Sequence, residues 1–174
     1  ERWALRNAEL RFLAALDRCE WTSLAEIGAQ DVVRGLPVCS FPTYMGQRNY
    51  PGLLWMATTQ SLVGYESLLE RDRLWLADFD PTVSVVLTQP FWVSGRDGSV
   101  LRRHVPGFLL ETTRGYVVVD VKPAELLDDA VVAAVLNWTR RLCEAKGWTY
   151  EVRSGADPML LRTSVFWRRH GEVM

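Results

Sequence analysis

The sequence predicts a mixed α/β domain, a β-sheet with helices on its faces, and three observations carry that prediction. Two apolar runs, Phe108–Leu110 and Tyr116–Val121, flank the turn signal Thr113-Arg114-Gly115, which reads as a β-hairpin. A long amphipathic stretch, Ala124–Ala145, follows, with Leu127, Val131, Val135, Trp138 and Leu142 at its apolar positions and Gly147 as its stop. A further strand, Trp148–Val152, comes next. The long stretch is then a crossover helix that lays a parallel strand beside a three-stranded meander.

The elements before the hairpin follow from the same rules. Residues 3–18 place Leu5, Phe12 and Leu16 with Ala8 and Ala15 on one stripe, which predicts a helix. Ser23-Leu24-Ala25-Glu26 has capping-box spacing and predicts a short helix from 24 to 33 that stops at Gly35. These two helices read either as a small DNA-reading hairpin or as an extension packed on the main domain. Residues 36–64 interleave Pro37, Pro42 and Pro51 with Tyr44, Tyr50 and Trp55, the composition of an ordered arm rather than a flexible linker. Leu68, Leu69, Trp75, Leu76 and Phe79 give the stripe of a helix over 65–79, ended by Pro81. Val83–Leu87 and Pro90–Val93 predict strands, the second turned by Gly95-Arg96-Asp97-Gly98, and Asp157-Pro158 opens a last helix that ends at Arg168-Arg169-His170. Residues 1–62 therefore form an N-terminal helical extension and aromatic arm, and 63–174 the main domain.

Composition bounds the function. With 174 residues, 48% of them hydrophobic, and eight Trp, the chain is long and apolar enough for a packed core. No apolar run approaches membrane-spanning length, and the start lacks signal-peptide architecture. Cys19, Cys39 and Cys143, with two His, fit neither a disulfide framework nor a zinc cluster, so a cytoplasmic location is expected. A net charge of −1 gives no overall nucleic-acid signature, which leaves DNA contact to a local patch. The best such patch is Arg96, Arg102, Arg103 and His104, with Arg168 and Arg169 further on. Surface decoration is the other reading of it.

The chemistry centres on Asp120-Val121-Lys122 at the end of the second hairpin strand, stopped by Pro123. Residues two apart on a strand share a face, so the carboxylate and the ammonium point the same way. Such a pair suits metal-assisted phosphodiester hydrolysis, the carboxylate holding Mg²⁺ and the lysine positioning the attacking water. A surface ion pair is the alternative. Lysine occurs only at 122 and 146 against eighteen arginines, and only lysine supplies a compact charge whose pKa shifts on burial. Glu66 and Glu70, four apart, stack on one face of the predicted helix, either facing the site or paired with Arg71 or Arg73 in solvent.

Several stretches in order resemble one family. Tyr65-Glu-Ser-Leu-Leu-Glu-Arg-Asp, Phe79-Asp-Pro, Gln89-Pro-Phe, His104-Val-Pro-Gly-Phe-Leu-Leu and Val119-Asp-Val-Lys-Pro-Ala look like the TnsA-type endonuclease subunits of heteromeric transposases. The arm Ser40-Phe-Pro-Thr-Tyr-Met-Gly-Gln-Arg-Asn-Tyr-Pro-Gly is similar too. These subunits belong to the PD-(D/E)xK superfamily, and the resemblance spans residues 38–165. It implies a restriction-endonuclease-like mixed sheet flanked by helices and Mg²⁺ or Mn²⁺ as cofactor. Cleavage would fall on double-stranded DNA at the 5′ ends of the element. A DDE-type transposase would work on the 3′ ends, with an ATPase regulator completing the assembly.

Carried over by position, the helix glutamate falls on Glu70, with Glu66 one turn before it, the strand carboxylate on Asp120 and the lysine on Lys122. The family's bridging aspartate falls on position 107, and here that residue is Gly107. Glycine offers no ligand, and Glu111 on the same face lies about 13 Å along the strand. Impaired cleavage is therefore expected. A relative that binds DNA or a partner without cutting is the second reading, and an unrelated α/β binding domain the third.

Overall fold

The computed structural model describes residues 5–14, 18–39 and 50–155. Its elements are β1 (Ala8–Ala14), β2 (Arg18–Ser23), α1 (Ala29–Val33), β3 (Gly52–Met56), β4 (Ser61–Tyr65), α2 (Leu68–Phe79) and β5 (Val83–Thr88). There follow β6 (Trp92–Asp97), β7 (Val100–His104), β8 (Phe108–Thr112), β9 (Gly115–Val121), α3 (Ala124–Leu127), α4 (Ala130–Lys146) and β10 (Thr149–Arg153).

The mixed sheet forms as the pattern predicts. Its order is β10-β9-β8-β5, with β5, β8 and β9 antiparallel and β10 parallel to β9. Thr113 and Arg114 make the two-residue turn between Thr112 and Gly115, and Gly115 takes a φ of 114° that a side chain would resist. The predicted helix 124–145 breaks in two because Asp129 caps a new start, accepting from the N–H groups of Val131 and Val132 at 2.8 and 3.0 Å. Gly147, left-handed at φ 81°, ends α4 and turns the chain into β10.

The sequence reading fails most at the N-terminus. Of the helix predicted over 3–18, Leu5 and Arg6 are helical among the described residues, but 8–14 form β1, antiparallel to β2. The apolar residues Ala8, Leu10 and Phe12 are buried and alternate with Glu9 and Arg11, a period of two that also satisfies a sparse helical template. Ser23 does not cap a helix through its side chain. Its carbonyl accepts from Glu26 and Ile27 in a turn, and α1 starts only at Ala29. Within the expected arm, residues 40–49 lie outside the described ones, and 52–65 form the β3–β4 hairpin. The division expected between 62 and 63 falls inside β4. The last predicted helix, with Arg168 and Arg169, lies outside the described residues.

Strands β6 and β7 leave the meander and join β1 and β2 in a second four-stranded sheet, ordered β2-β1-β6-β7. One core cluster ties this sheet to the mixed sheet through Leu10, Phe12, Val93, Leu109, Val118, Trp138 and Leu142. A second cluster, with Met56, Leu74, Phe108, Val119 and Val121, fills the opposite face under α2 and the β3–β4 hairpin. No helix among the described residues is long and apolar enough to cross a membrane.

Candidate functional site

One cleft of about 140 Å³ is lined by Glu66, Glu70, Gly107, Asp120 and Lys122, together with Cys39 and Gln89. Alternation along β9 explains how they arrive. Val118 and Asp120 face α4, while Val119 and Val121 face α2, so Asp120 and Glu70 reach the sheet end from opposite faces. Lys122 extends β9 by one step, its N–H donating to the Arg153 carbonyl at 2.9 Å. Gly107 sits against that strand. A Cβ there would stand 3.0 Å from the Val119 carbonyl oxygen and 3.9 Å from the Cα of Asp120.

Asp120 is only 1% exposed, and the same oxygen, Oδ2, meets the Tyr150 hydroxyl at 2.5 Å and Nε2 of His104 at 2.8 Å. Neither partner was reached from the sequence as a companion of Asp120. The sequence places His104 in the basic patch, but its side chain is 10% exposed and turned inward. Tyr150 is buried, and burial first, then the Asp120 charge, push its hydroxyl far above the usual tyrosine range. It therefore stays protonated as a donor. The register Tyr150↔Val118 and Val152↔Asp120 puts Tyr150 on the face of Asp120, a signal available only once the parallel pairing is known.

Glu70 has a structural role as well as a place in the cleft. Helix α2 starts at Leu68 with Ser67 as its N-cap, so Glu66 precedes the helix and does not stack on it as a helical turn. The Ser67 hydroxyl accepts from the Glu70 N–H at 3.2 Å, and Oε2 of Glu70 accepts from the Glu66 N–H at 2.7 Å. This is a capping box shifted by one residue. Burial raises the Glu70 pKa most, with Glu66 adding to the rise, against the lowering effects of the Glu66 N–H and of Lys122. An acid whose folded pKa is raised holds its proton better folded than unfolded, so stability falls as pH climbs from 4.5 through the raised value. Glu70→Gln keeps an acceptor for the cap and removes that penalty. Urea unfolding of the two proteins across this range is expected to show equal stability at the acid end and a more stable variant near neutrality.

The four residues of the basic patch divide between two faces. In the β6–β7 pair, Ser94 lies opposite Arg103 and Gly95 opposite Arg102. Arg103 and Arg96 point outward with Ser94, whereas Arg102 and His104 point inward. Nε of Arg102 is held by Asp97 at 2.7 Å, and Arg141 takes the other Asp97 oxygen at 2.7 Å. The Arg102 hydrogen bond is the main reason that Asp97 lies below the usual carboxylate range. Arg102 is thus a structural partner, and the solvent-facing cations are Arg96 and Arg103. Reversing both to Glu is expected to weaken duplex binding for all sequences alike and to shallow the salt slope by about two. A titration of affinity against salt checks this, and unchanged affinity would make the pair decoration.

The site does not fit a magnesium centre. Oδ2 of Asp120 is committed to two protein partners, and position 107 carries no carboxylate. Among the described residues, no group of three or more His, Cys, Asp or Glu side chains is placed to hold a metal ion. No protein-family model and no curated protein matches the chain.

Proposed function

We propose that the chain is a TnsA-like transposase subunit on a restriction-endonuclease-like core, acting at the double-stranded DNA of transposon ends with its own cleavage impaired. Its partners are a DDE-type transposase and an ATPase regulator, and Mg²⁺ or Mn²⁺ would serve a competent site. The observation that carries the reading is the cleft itself. Residues far apart in sequence, Glu66 and Glu70, Gly107, and Asp120 with Lys122, line one small space at the end of a mixed sheet. An incidental Asp-x-Lys ion pair would give no reason for that convergence. The missing carboxylate at 107 and the Asp120 oxygen already engaged by Tyr150 and His104 favour engagement of DNA over its hydrolysis.

What the chain's own residues do follows from their surroundings. Lys122, which lines the cleft, presents a compact cation to a phosphate. Arg96 and Arg103 on the outer face of the second sheet add sequence-independent attraction. The test uses element-end DNA with the partner transposase and Mg²⁺. The unmodified chain is expected to bind and to cut little, and Lys122→Ala to abolish whatever cutting remains. Robust cleavage that survives Lys122→Ala would overturn the assignment.

A further inference from the structure

The outward face of the β2-β1-β6-β7 sheet carries a row that the cleft does not use. Arg11 lies opposite Trp21 on one side and Trp92 on the other, so the three cross the sheet in line. The guanidinium carbon of Arg11 sits 5.5 Å from the Trp21 ring centre and 5.6 Å from that of Trp92. Trp21 is 64% exposed and Trp92 36%. Beside this row runs a second, in which Arg103 pairs with Ser94 and Ser94 with Glu9. Together they line a groove of about 350 Å³ with two arginines and one carboxylate.

Two indoles in solvent are costly for a sheet face that needs only polar residues. A cross-strand cation–π ladder accounts for part of the arrangement, since such contacts add stability. It does not account for Arg103, which has no carboxylate partner among the described residues, or for the groove. Position supplies the remaining argument. Cys39 lines the catalytic-type cleft next to Glu66, and the Val38 N–H just before it donates at 2.9 Å to the carbonyl of Gln89, which leads into β6 at Trp92. The cleft and the indole row are therefore neighbours along the chain.

We propose that this face is a platform for an unpaired nucleic-acid strand leaving the cleft. Its bases would stack on Trp21, Trp92 and the Arg11 plane, and its phosphates would be held by Arg103 and Arg96. The idea rests on the DNA-handling function proposed above and extends it from duplex to single strand. Aromatic rings interleaved with cations are what such strands require, because every base has a stacking face whereas a duplex hides it. A protein partner for the same face would need an apolar centre, and here the centre is a guanidinium.

The experiment uses the full chain without Mg²⁺ and a fluorescent oligothymidine of about 15 nucleotides, the upper range for one such platform. Trp21→Ala is expected to lower single-strand affinity about tenfold, the effect of losing one stacked base, with unchanged duplex affinity and only the small drop in melting temperature that losing one cation–π contact brings. Trp21→Phe is expected to retain most of the binding. Arg103→Glu should weaken both DNA forms. Single-strand affinity unaffected by Trp21→Ala, or lost equally for duplex, overturns the platform. So does capture of the partner transposase that depends on Trp21 while DNA binding does not. Because nothing is cut in this assay, absence of cleavage by any variant leaves its result standing, and its failure leaves the cleft reading intact.

Discussion

Gly107→Asp is expected to raise cleavage of element-end DNA by about a hundredfold or more in the assembled system with Mg²⁺ or Mn²⁺. Losing even an outer partner of a metal ligand costs ten- to a hundredfold, and here a direct ligand is restored. The substitution is not sterically free. The new Cβ would stand 3.0 Å from the Val119 carbonyl oxygen, so β9 must yield by a few tenths of an ångström. Forcing extra atoms into a packed site costs about 1–3 kcal/mol. Gly107→Ala carries the same crowding without a carboxylate and is the control that separates the two effects. The gain should disappear when Lys122→Ala or Glu70→Gln is added, since all three act at one cleft. No gain from Gly107→Asp, with folding intact and DNA still bound, would mean that the site has diverged beyond one substitution.

Asp120→Ala is expected to destabilise the fold by about 2–6 kcal/mol, the cost of leaving two buried donors without an acceptor at about 1–3 kcal/mol each. Two groups lose their acceptor at once, the Tyr150 hydroxyl and Nε2 of His104, in a site with almost no access to water. Tyr150→Phe removes only one donor and should cost about 1–3 kcal/mol. The double variant should cost less than the sum, because the removed hydroxyl is the group that Asp120→Ala strands. Urea unfolding of the three variants measures this directly. A carboxylate kept chiefly for a ligand behaves otherwise, since such sites trade stability for activity and often gain stability when neutralised. An Asp120→Ala protein as stable as the parent would remove the structural role given to this residue.

Much of the mixed sheet was legible because its signals are local. The turn Thr113-Arg114-Gly115 needs a left-handed residue and has one, Gly147 ends its helix for the same reason, and Asp120 and Lys122 share a face by strand alternation alone. The break before Asp129 was legible in principle, but a continuous apolar stripe outweighed it. Residues 3–18 misled because Ala8 and Phe12, four apart, satisfy two periods at once, and pairing with β6 decided between them. Glu66, Glu70 and Gly107 were placed by resemblance of ordered stretches, and no local rule gathers them. His104 and Tyr150 lay beyond reach because their role is set by one oxygen of Asp120. The strands that bring them there belong to different sheets. The basic patch split for a similar reason, since contiguous arginines on a strand alternate between faces.

The pairing of β1 with β6 has a consequence for where this chain can be cut. Strand β6 belongs to a hairpin that loops out of the meander, and its other edge is closed only by β1. A shortened chain beginning near residue 63 would present that edge as a row of open N–H and C=O groups above a bare apolar surface containing Val93. Such an edge is a template for another strand. Strand β1 thus guards the open edge of the β6–β7 hairpin. Trimming it would replace an intramolecular ladder with an intermolecular one, and self-association would follow before any question of DNA arose.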